Sequence, residues 1–501
     1  MLRRFVGDRR GTLMPLFALS VIPIVGFAGA AIDTASYETA RARLQAAADA
    51  TALAANRDSS TRNFASASAF FASQDTGLEQ AALDPDAFDT SNGQLTLRAT
   101  AHFTPKVMSA FGIARDIVLS AQATSVLGQE NIEVAMVLDN SGSMAGSKID
   151  SLIEAANSLT DSLFQVASEN TSVKVGVVPF SGAVNVGPAN ATASWMDTQG
   201  LSPIHSENFN QAANRFTLFS QMKDTSWAGC VETRPYPLDV NDTAPDVDDP
   251  KTLYVPMFAP DEPDDDTHYD DFANDYLDDR GGTCGSNPSG DAQGRTCKYN
   301  GATPSTRSSG ATNKGPNFWC NSKPIVPLTS TKSTITTAID GMVAKGYTNI
   351  HQGLMWGWRV LSPDAPFTGG AAYSDAKTRK YIVLMTDGEN TINGTGNWSK
   401  NHSDYSAYGY AIKGRLGTTS GSSSTLEDAM DDRLEEACTN AKAAGITIYT
   451  VAFQVSSTST KDMLVRCATS SSMAYQPSST SDLVPVFQAI AQQLGALRIS
   501  Q

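Results

Sequence analysis

Glu133-Val134-Ala135-Met136-Val137-Leu138-Asp139-Asn140-Ser141-Gly142-Ser143 joins an almost unbroken apolar run to a turn bearing one carboxylate and two hydroxyls. A run without alternation reads as a strand buried on both faces, the habit of parallel strands covered by helices. Val173–Phe180, Lys380–Met385 and Ile446–Phe453 have the same character. Helical spacing fills the intervals at Ser147–Ser168, Thr331–Lys345, Ile350–Leu361, Leu426–Ala444, Thr460–Ala468 and Ser481–Ala496. Gly346 and Gly445 stand where C-terminal helix caps belong. The alternation predicts an α/β fold, a mostly parallel Rossmann-type sheet with helices on both faces.

Asp139, Ser141 and Ser143 occupy alternate positions of one turn and can converge on a point. Hard divalent cations prefer such oxygen donors, with Mg2+ the first choice and Mn2+ or Ca2+ possible. The end of a strand in an open α/β sheet is also where ligands bind. Two later pieces extend the set: Thr348 in Gly346-Tyr347-Thr348-Asn349-Ile350, and Asp387 in Thr386-Asp387-Gly388-Glu389, at the end of another core strand. The alternative, that Asp139 and Ser141 cap the next helix, leaves Thr348 and Asp387 unexplained.

In this order, D-x-S-x-S, a threonine and an aspartate resemble the metal-ion-dependent adhesion site of the von Willebrand factor A family. The resemblance covers about Asn131 to Leu497 with two insertions set aside, and all five positions match. It implies a metal held by Ser141, Ser143 and Thr348 through hydroxyls, with Asp139 and Asp387 direct or through water. It further implies that the metal takes a partner's carboxylate as its last ligand.

The chain has 501 residues, a net charge of −15, 41% hydrophobic and 18% charged residues. That is a globular profile of two or three domains, too acidic for a nucleic-acid binder. Arg3, Arg4, Arg9 and Arg10 precede an uncharged run from Gly11 to Ile32, long enough to span a bilayer with the N-terminus cytoplasmic. Ala28-Gly29-Ala30 keeps a cleaved signal peptide as the rival reading. An Ala-rich helix follows from Asp33 to Asn56, and Gln94–Pro105 and Ile117–Leu127 alternate as two half-buried strands. The expected organisation is an anchor over 1–32, a pilin-like stalk over 33–128, and the cation-binding domain over 129–501.

Two insertions interrupt that domain. Residues 189–324 are acidic and Cys-containing; their stretch Asp261–Asp279 lacks an EF-hand pattern and reads as a solvated or partner-facing surface. They are expected to begin at the pole opposite the cation site, after a strand Ala183–Val186 that pairs back on Phe180. Residues 389–425 are rich in Gly and Ser, and leave from the metal pole. Their Trp398, Tyr405, Tyr408 and Tyr410 are candidates for touching the ligand, with ordinary exposed loop residues the alternative. Cys438 and Cys467 flank a core strand and are the first choice of disulfide. Cys230, Cys284, Cys297 and Cys320 are expected to form two bridges with the pairing open. The sequence contains no G-x-S-x-G elbow, H-E-x-x-H or Walker A loop, so no enzyme and no small-molecule substrate are expected.

Arg10-Gly11-Thr12, the span ending Gly29-Ala30-Ala31-Ile32-Asp33, and Leu44-Gln45-Ala46-Ala47-Ala48-Asp49-Ala50 resemble TadG-type proteins of tight-adherence (Flp) pilus assembly. Tyr254-Val255-Pro256-Met257-Phe258-Ala259-Pro260-Asp261-Glu262 is similar to that group too. Leu13, Met14 and Pro15 occupy the region where TadE-like relatives carry a glutamate, which puts prepilin-type processing in doubt. The resemblance implies a bacterial inner-membrane protein, single-pass, with a periplasmic body that binds an acidic residue of a pilus or assembly component. A structural pseudopilin-like role with a non-essential metal site is the alternative.

Overall fold

The computed structural model describes residues 13–496 except 57–60, 91–93, 111, 113–115, 127–130, 166–171, 265–273, 306–307, 310–311 and 397–399. The chain divides into two compact units, residues 1–129 with 496–501, and residues 130–495.

In the first unit a single helix, α1 (Leu13–Ala55), combines the apolar N-terminal run with the Ala-rich segment. Its portion Leu19–Ala55 is long and apolar enough to cross a membrane. Phe17, Leu19, Ile24 and Phe27 lie exposed along its first half. Further on, Ala40, Leu44, Ala47, Ala48 and Ala52 form one buried stripe. The small side chains let the helix lie close on a sheet whose inward positions are Leu95, Leu97, Ala99 and Ala101 of β2 (Gln94–Phe103) and Leu119, Ala121 and Ala123 of β3 (Ile117–Val126). The strands pair antiparallel, Leu97 opposite Ala123. A third strand, β1 (Glu79–Leu83), joins β2 antiparallel; its short Glu-Gln-Ala-Ala-Leu run gave no alternation to find. Short helices α2 (Phe64–Ser73) and α3 (Lys106–Ala110) complete the unit, and the Asp33 carboxylate accepts the Val107 and Met108 N–H groups at the start of α3.

The second unit is built on β4 (Asn131–Asp139), β5 (Val173–Phe180), β8 (Val326–Thr329), β9 (Thr378–Thr386), β10 (Thr447–Ala452) and β11 (Ala474–Tyr475), in the spatial order β11-β10-β9-β4-β5-β8. In chain order of these six strands that is 3-2-1-4-5-6, the doubly wound arrangement. All neighbours are parallel except β8, which is antiparallel to β5. Helices α4 (Ser147–Gln165), α6 (Lys332–Asp340) and α10 (Thr480–Ala496) cover the face that holds Ile132, Val134, Met136 and Leu138. Helices α7 (Ile350–Leu361), α8 (Ser423–Ala443) and α9 (Thr458–Cys467) cover the face of Ala135 and Val137. The helix α6 stops at Asp340, so Gly346 is a loop glycine and not a cap; Gly445 does follow the end of α8, with φ +87°.

Every residue of α7 is buried, including His351, Gln352 and Arg359. On its inner side, a Cβ at Gly353 would come within 2.7 Å of the Phe180 ring, and one at Gly357 would strike Val137. Its outer side is covered by the first insertion. Gln352 Nε2 donates to the Val231 carbonyl and to Thr233 Oγ1 (both 3.2 Å), His351 Nε2 meets the Asp239 carbonyl (2.9 Å), and Trp356 packs on Tyr254. This insertion is therefore a folded layer. It carries α5 (Arg215–Gln221), a small hairpin β6 (Ser308–Ser309) with β7 (Thr312–Asn313), and the bridges Cys230–Cys320 and Cys284–Cys297. Cys438 and Cys467 are bridged as expected.

Two expectations about the insertion need correction. Ala183–Val186 does not run as a strand: Phe180 bridges Val184 once, and Asn185 then pairs with Cys230 and Pro324. The base of the insertion thus packs with Tyr347 and the second insertion, at the pole of the cation-site residues. The ends of the acidic stretch are not solvated either. Asp261 is fully buried against Lys298, which also pairs with Asp279, and Tyr276 and Leu277 donate their N–H groups to Asp261. The middle, 265–273, lies outside the described residues.

Candidate cation site

β4 and β9 are neighbours at the point where the strand order reverses, and Asp139 and Asp387 lie at their C-terminal ends. The sheet thus brings together two carboxylates 248 residues apart in the sequence. Asp139 Oδ1 accepts the Ser141 N–H (2.7 Å) and Oδ2 accepts the hydroxyl of Thr386 (2.6 Å). Beyond the turn, the Ser141 and Ser143 hydroxyl oxygens lie 2.9 Å apart, and Ser143 donates to Asp387 Oδ1 at 2.6 Å. The other Asp387 oxygen accepts from Lys148 Nζ at 2.5 Å.

Ser141 stands at the N-cap of a short 3-10 turn (Gly142–Met144), yet its side chain makes no capping hydrogen bond. Its hydroxyl is turned to Ser143 instead, so capping does not explain the motif. Burial and the neighbouring Asp387 carboxylate push Asp139 up to about 6.

Thr348 reaches the same turn through the loop 345–349. The Gly142 N–H donates to the Gly346 carbonyl (2.9 Å) and the Lys345 N–H to that of Asn140 (2.7 Å). A Cβ at Gly346, where φ is +95°, would lie 2.9 Å from Asn321 Nδ2. Thr348 is buried, and its N–H donates to Thr391 Oγ1 (2.8 Å) while its carbonyl accepts the Thr391 N–H (2.9 Å). Asn349 then caps α7, accepting the Gln352 N–H at 3.0 Å, and the Ile350 N–H goes to Asn390.

The structure brings together two buried carboxylates and two hydroxyls, with Ser141, Ser143 and Asp387 already in one chain of short contacts, while Thr348 is tied to the same turn through the backbone of its loop. That set suits a hard cation. Among the described residues no group of three or more His, Cys, Asp or Glu is placed to hold a metal, so a cation here rests on this oxygen set.

The ligand-loop aromatics fall elsewhere than expected. Trp398 lies outside the described residues. Tyr405, Tyr408 and Tyr410 are buried, not exposed for contact, because their hydroxyls are drawn into polar partners of the core. Tyr405 bonds Glu232 and accepts the Phe258 N–H, Tyr408 meets His351 Nδ1 (2.7 Å) and Asn349 (3.2 Å), and Tyr410 donates to Glu262 (3.1 Å). Tyr405 and Tyr408 line a narrow cleft with Trp319, Tyr347, Asn349 and Thr391, on the flank of Thr348.

Sequence reasoning missed Lys148, Thr386, Thr391, Asn349 and Asn390. Lys148, in the first turn of α4, and the cap-like Asn349-x-x-Gln352 spacing were visible signals. The partnerships of Thr391 and Asn390 join distant loops and leave no local pattern.

Strand order and the switch-point position make the body of the chain a doubly wound α/β domain with two insertions, the fold expected from its resemblance to the von Willebrand factor A family. Residues 11–67 match the Tad family, described as Flp pilus-assembly TadE/G-like. Among solved structures the chain is similar to the pilus adhesin SpaC from Lactobacillus rhamnosus GG, at 11% identity and a TM-score of 0.35. That match covers 84% of this chain and 35% of SpaC, so the chain spans about a third of that protein's length. It is also similar to the vWF domain of the type V pili tip protein Mfa5 from Porphyromonas gingivalis (10% identity, TM-score 0.35, 74% of this chain and 97% of that one). A third is the proximal thread matrix protein 1 of the mussel byssus, with a zinc-occupied MIDAS motif (14% identity, TM-score 0.30, 73% and 48%). No curated protein matches the chain.

Proposed function

We propose that the chain is a membrane-anchored, non-enzymatic binding module of Flp/Tad pilus assembly or adhesion, holding one divalent cation on Asp139, Ser141, Ser143, Thr348 and Asp387. The carrying observation is the continuous contact from Ser141 through Ser143 to Asp387, with Asp139 behind it, at the switch point of the sheet. Mg2+ is the cation we favour, and a carboxylate of a protein partner its last ligand. The cation would supply the charge that draws that carboxylate; the chain's own residues orient it and keep the carboxylates out of water.

The exposed apolar residues of α1 and the Tad match at residues 11–67 support a single-pass inner-membrane anchor. Three disulfides support an oxidising compartment for the body, which we assign to the periplasm. The domains we assign are the anchor 1–32, the stalk 33–128 and the cation-binding body 129–501.

The test is crosslinking in cells followed by co-purification with Mg2+ or EDTA. Partners captured with Mg2+ and lost with EDTA or in Asp139→Ala are expected; capture indifferent to both removes the metal-bridged reading. A structural pseudopilin-like role has one observation in its favour, that the family match falls on the anchor and stalk. Unchanged piliation in Asp387→Ala favours it.

A further inference from the structure

We propose that Lys148 is the resident counter-charge of the site, a residue that an incoming divalent cation must displace from Asp387 and that thereby sets the cation affinity. The inference rests on the cation reading above. Asp387 has a fully buried side chain whose two oxygens go to Ser143 and Lys148. Among the described residues the hydrogen bonds to Asp139 come from neutral donors, the Ser141 N–H and the Thr386 hydroxyl. Two buried carboxylates therefore share one ammonium, and a buried carboxylate left without compensation is costly.

The lysine is built to leave. Its side chain is 27% exposed while that of Asp387 is 0%, so the ammonium enters from the solvent side and can withdraw without unpacking the core. Lysine is a compact point charge on a flexible stem, held here by one charged contact and no planar fork. With the lysine in place the site carries one negative charge. A divalent cation entering beside it would turn that into one positive charge, so the two cations repel each other and the lysine withdraws, leaving the two carboxylates and the cation neutral. Lys148 thus weakens cation binding, because its ion pair with Asp387 is given up on loading.

The experiment is calorimetric titration of the full chain in detergent micelles with Mn2+ after EDTA stripping, for wild type, Lys148→Met, Lys148→Arg and Asp387→Ala. Lys148→Met is expected to bind Mn2+ about tenfold more tightly, the scale of one partly desolvated ion pair. Its metal-free form should melt below the wild type, its loaded form level with it. Lys148→Arg should stay near the wild-type affinity and Asp387→Ala should lose binding. If Lys148→Met unfolds on stripping, chelator competition from the Mn2+-loaded protein reads the same affinity. Equal or weaker Mn2+ affinity in Lys148→Met overturns the role of Lys148 alone. A wild type that binds no Mn2+ overturns the cation reading with it.

Discussion

Arg215→Met tests whether the first insertion is the folded layer described above. Arg215 is fully buried, and its guanidinium donates to five acceptors: the carbonyls of Ile204 (2.8 Å), His205 (2.9 Å) and Pro256 (2.9 Å), Glu232 Oε1 (2.6 Å) and Tyr405 Oη (3.4 Å). Methionine keeps much of the stem and removes every donor. Breaking a buried ion pair by deleting one partner costs about 3–5 kcal/mol. Glu232 retains Arg415 at 2.5 Å and Tyr405, which places the cost near the lower end, about 3 kcal/mol. Since about 1.4 kcal/mol is a factor of ten, the open form of this layer should be populated on the order of a hundredfold more. Limited proteolysis of the full chain in micelles reads this as cleavage within 189–324 at a correspondingly higher rate, with urea melts as a second measure. Cleavage within threefold of the wild type would refute the clamp, and with it the claim that these charges hold the insertion together.

Three further outcomes are expected. Cation at a hundred times its Kd should stabilise the wild type by about 2.7 kcal/mol, read as a thermal shift, and Asp387→Ala should show none; an equal shift in both removes Asp387 from the site. Burial pushes His351 down to about 3, so below about 6.5 only the unfolded chain takes up its proton, and the stability from keeping it neutral, complete above that pH, is lost at about 1.4 kcal/mol per pH unit toward 3. Urea melts at pH 7 and 5 should therefore differ by about 2 kcal/mol more in the wild type than in His351→Gln; equal slopes sink the assignment. Gly357→Ala should cost about 1–3 kcal/mol through its collision with Val137, and an unchanged melting midpoint would show that α7 has room to move.

The parallel strands and most helices were legible because their patterns are local. The apolar runs at Val134–Leu138 and Tyr381–Met385 bury both faces, and α7 begins and ends where its apolar spacing does. The short edge strands β8 and β11 escaped notice because four and two residues carry too little period. The insertion was misread for a different reason. Composition treats Asp261–Asp279 as a charge run that stays in water, yet the residues that pay for burying its ends are scattered. Lys298 answers Asp261 and Asp279, Arg215 and Arg415 answer Glu232, and no local window contains both members of these pairs.

That difference separates the five proposed cation ligands by what positions them. Asp139 and Asp387 are fixed by adjacent parallel strands, and the two serines by the turn directly after one of them, so their convergence follows from the sheet. Thr348 has no strand. It sits on a loop whose neighbours are Thr391 and Tyr408 of the second insertion, which hold Thr348 and Asn349. The helix it leads into is gripped at Gln352 by Val231 and Thr233 of the first. The two segments that a sheet-based reading sets aside as insertions are therefore the ones that place the fifth residue. A chain lacking residues 189–324 would retain the four groups that the strands and their turn place, and the hold of Thr391 on Thr348, but lose the outer cover of α7, the helix into which Thr348 leads.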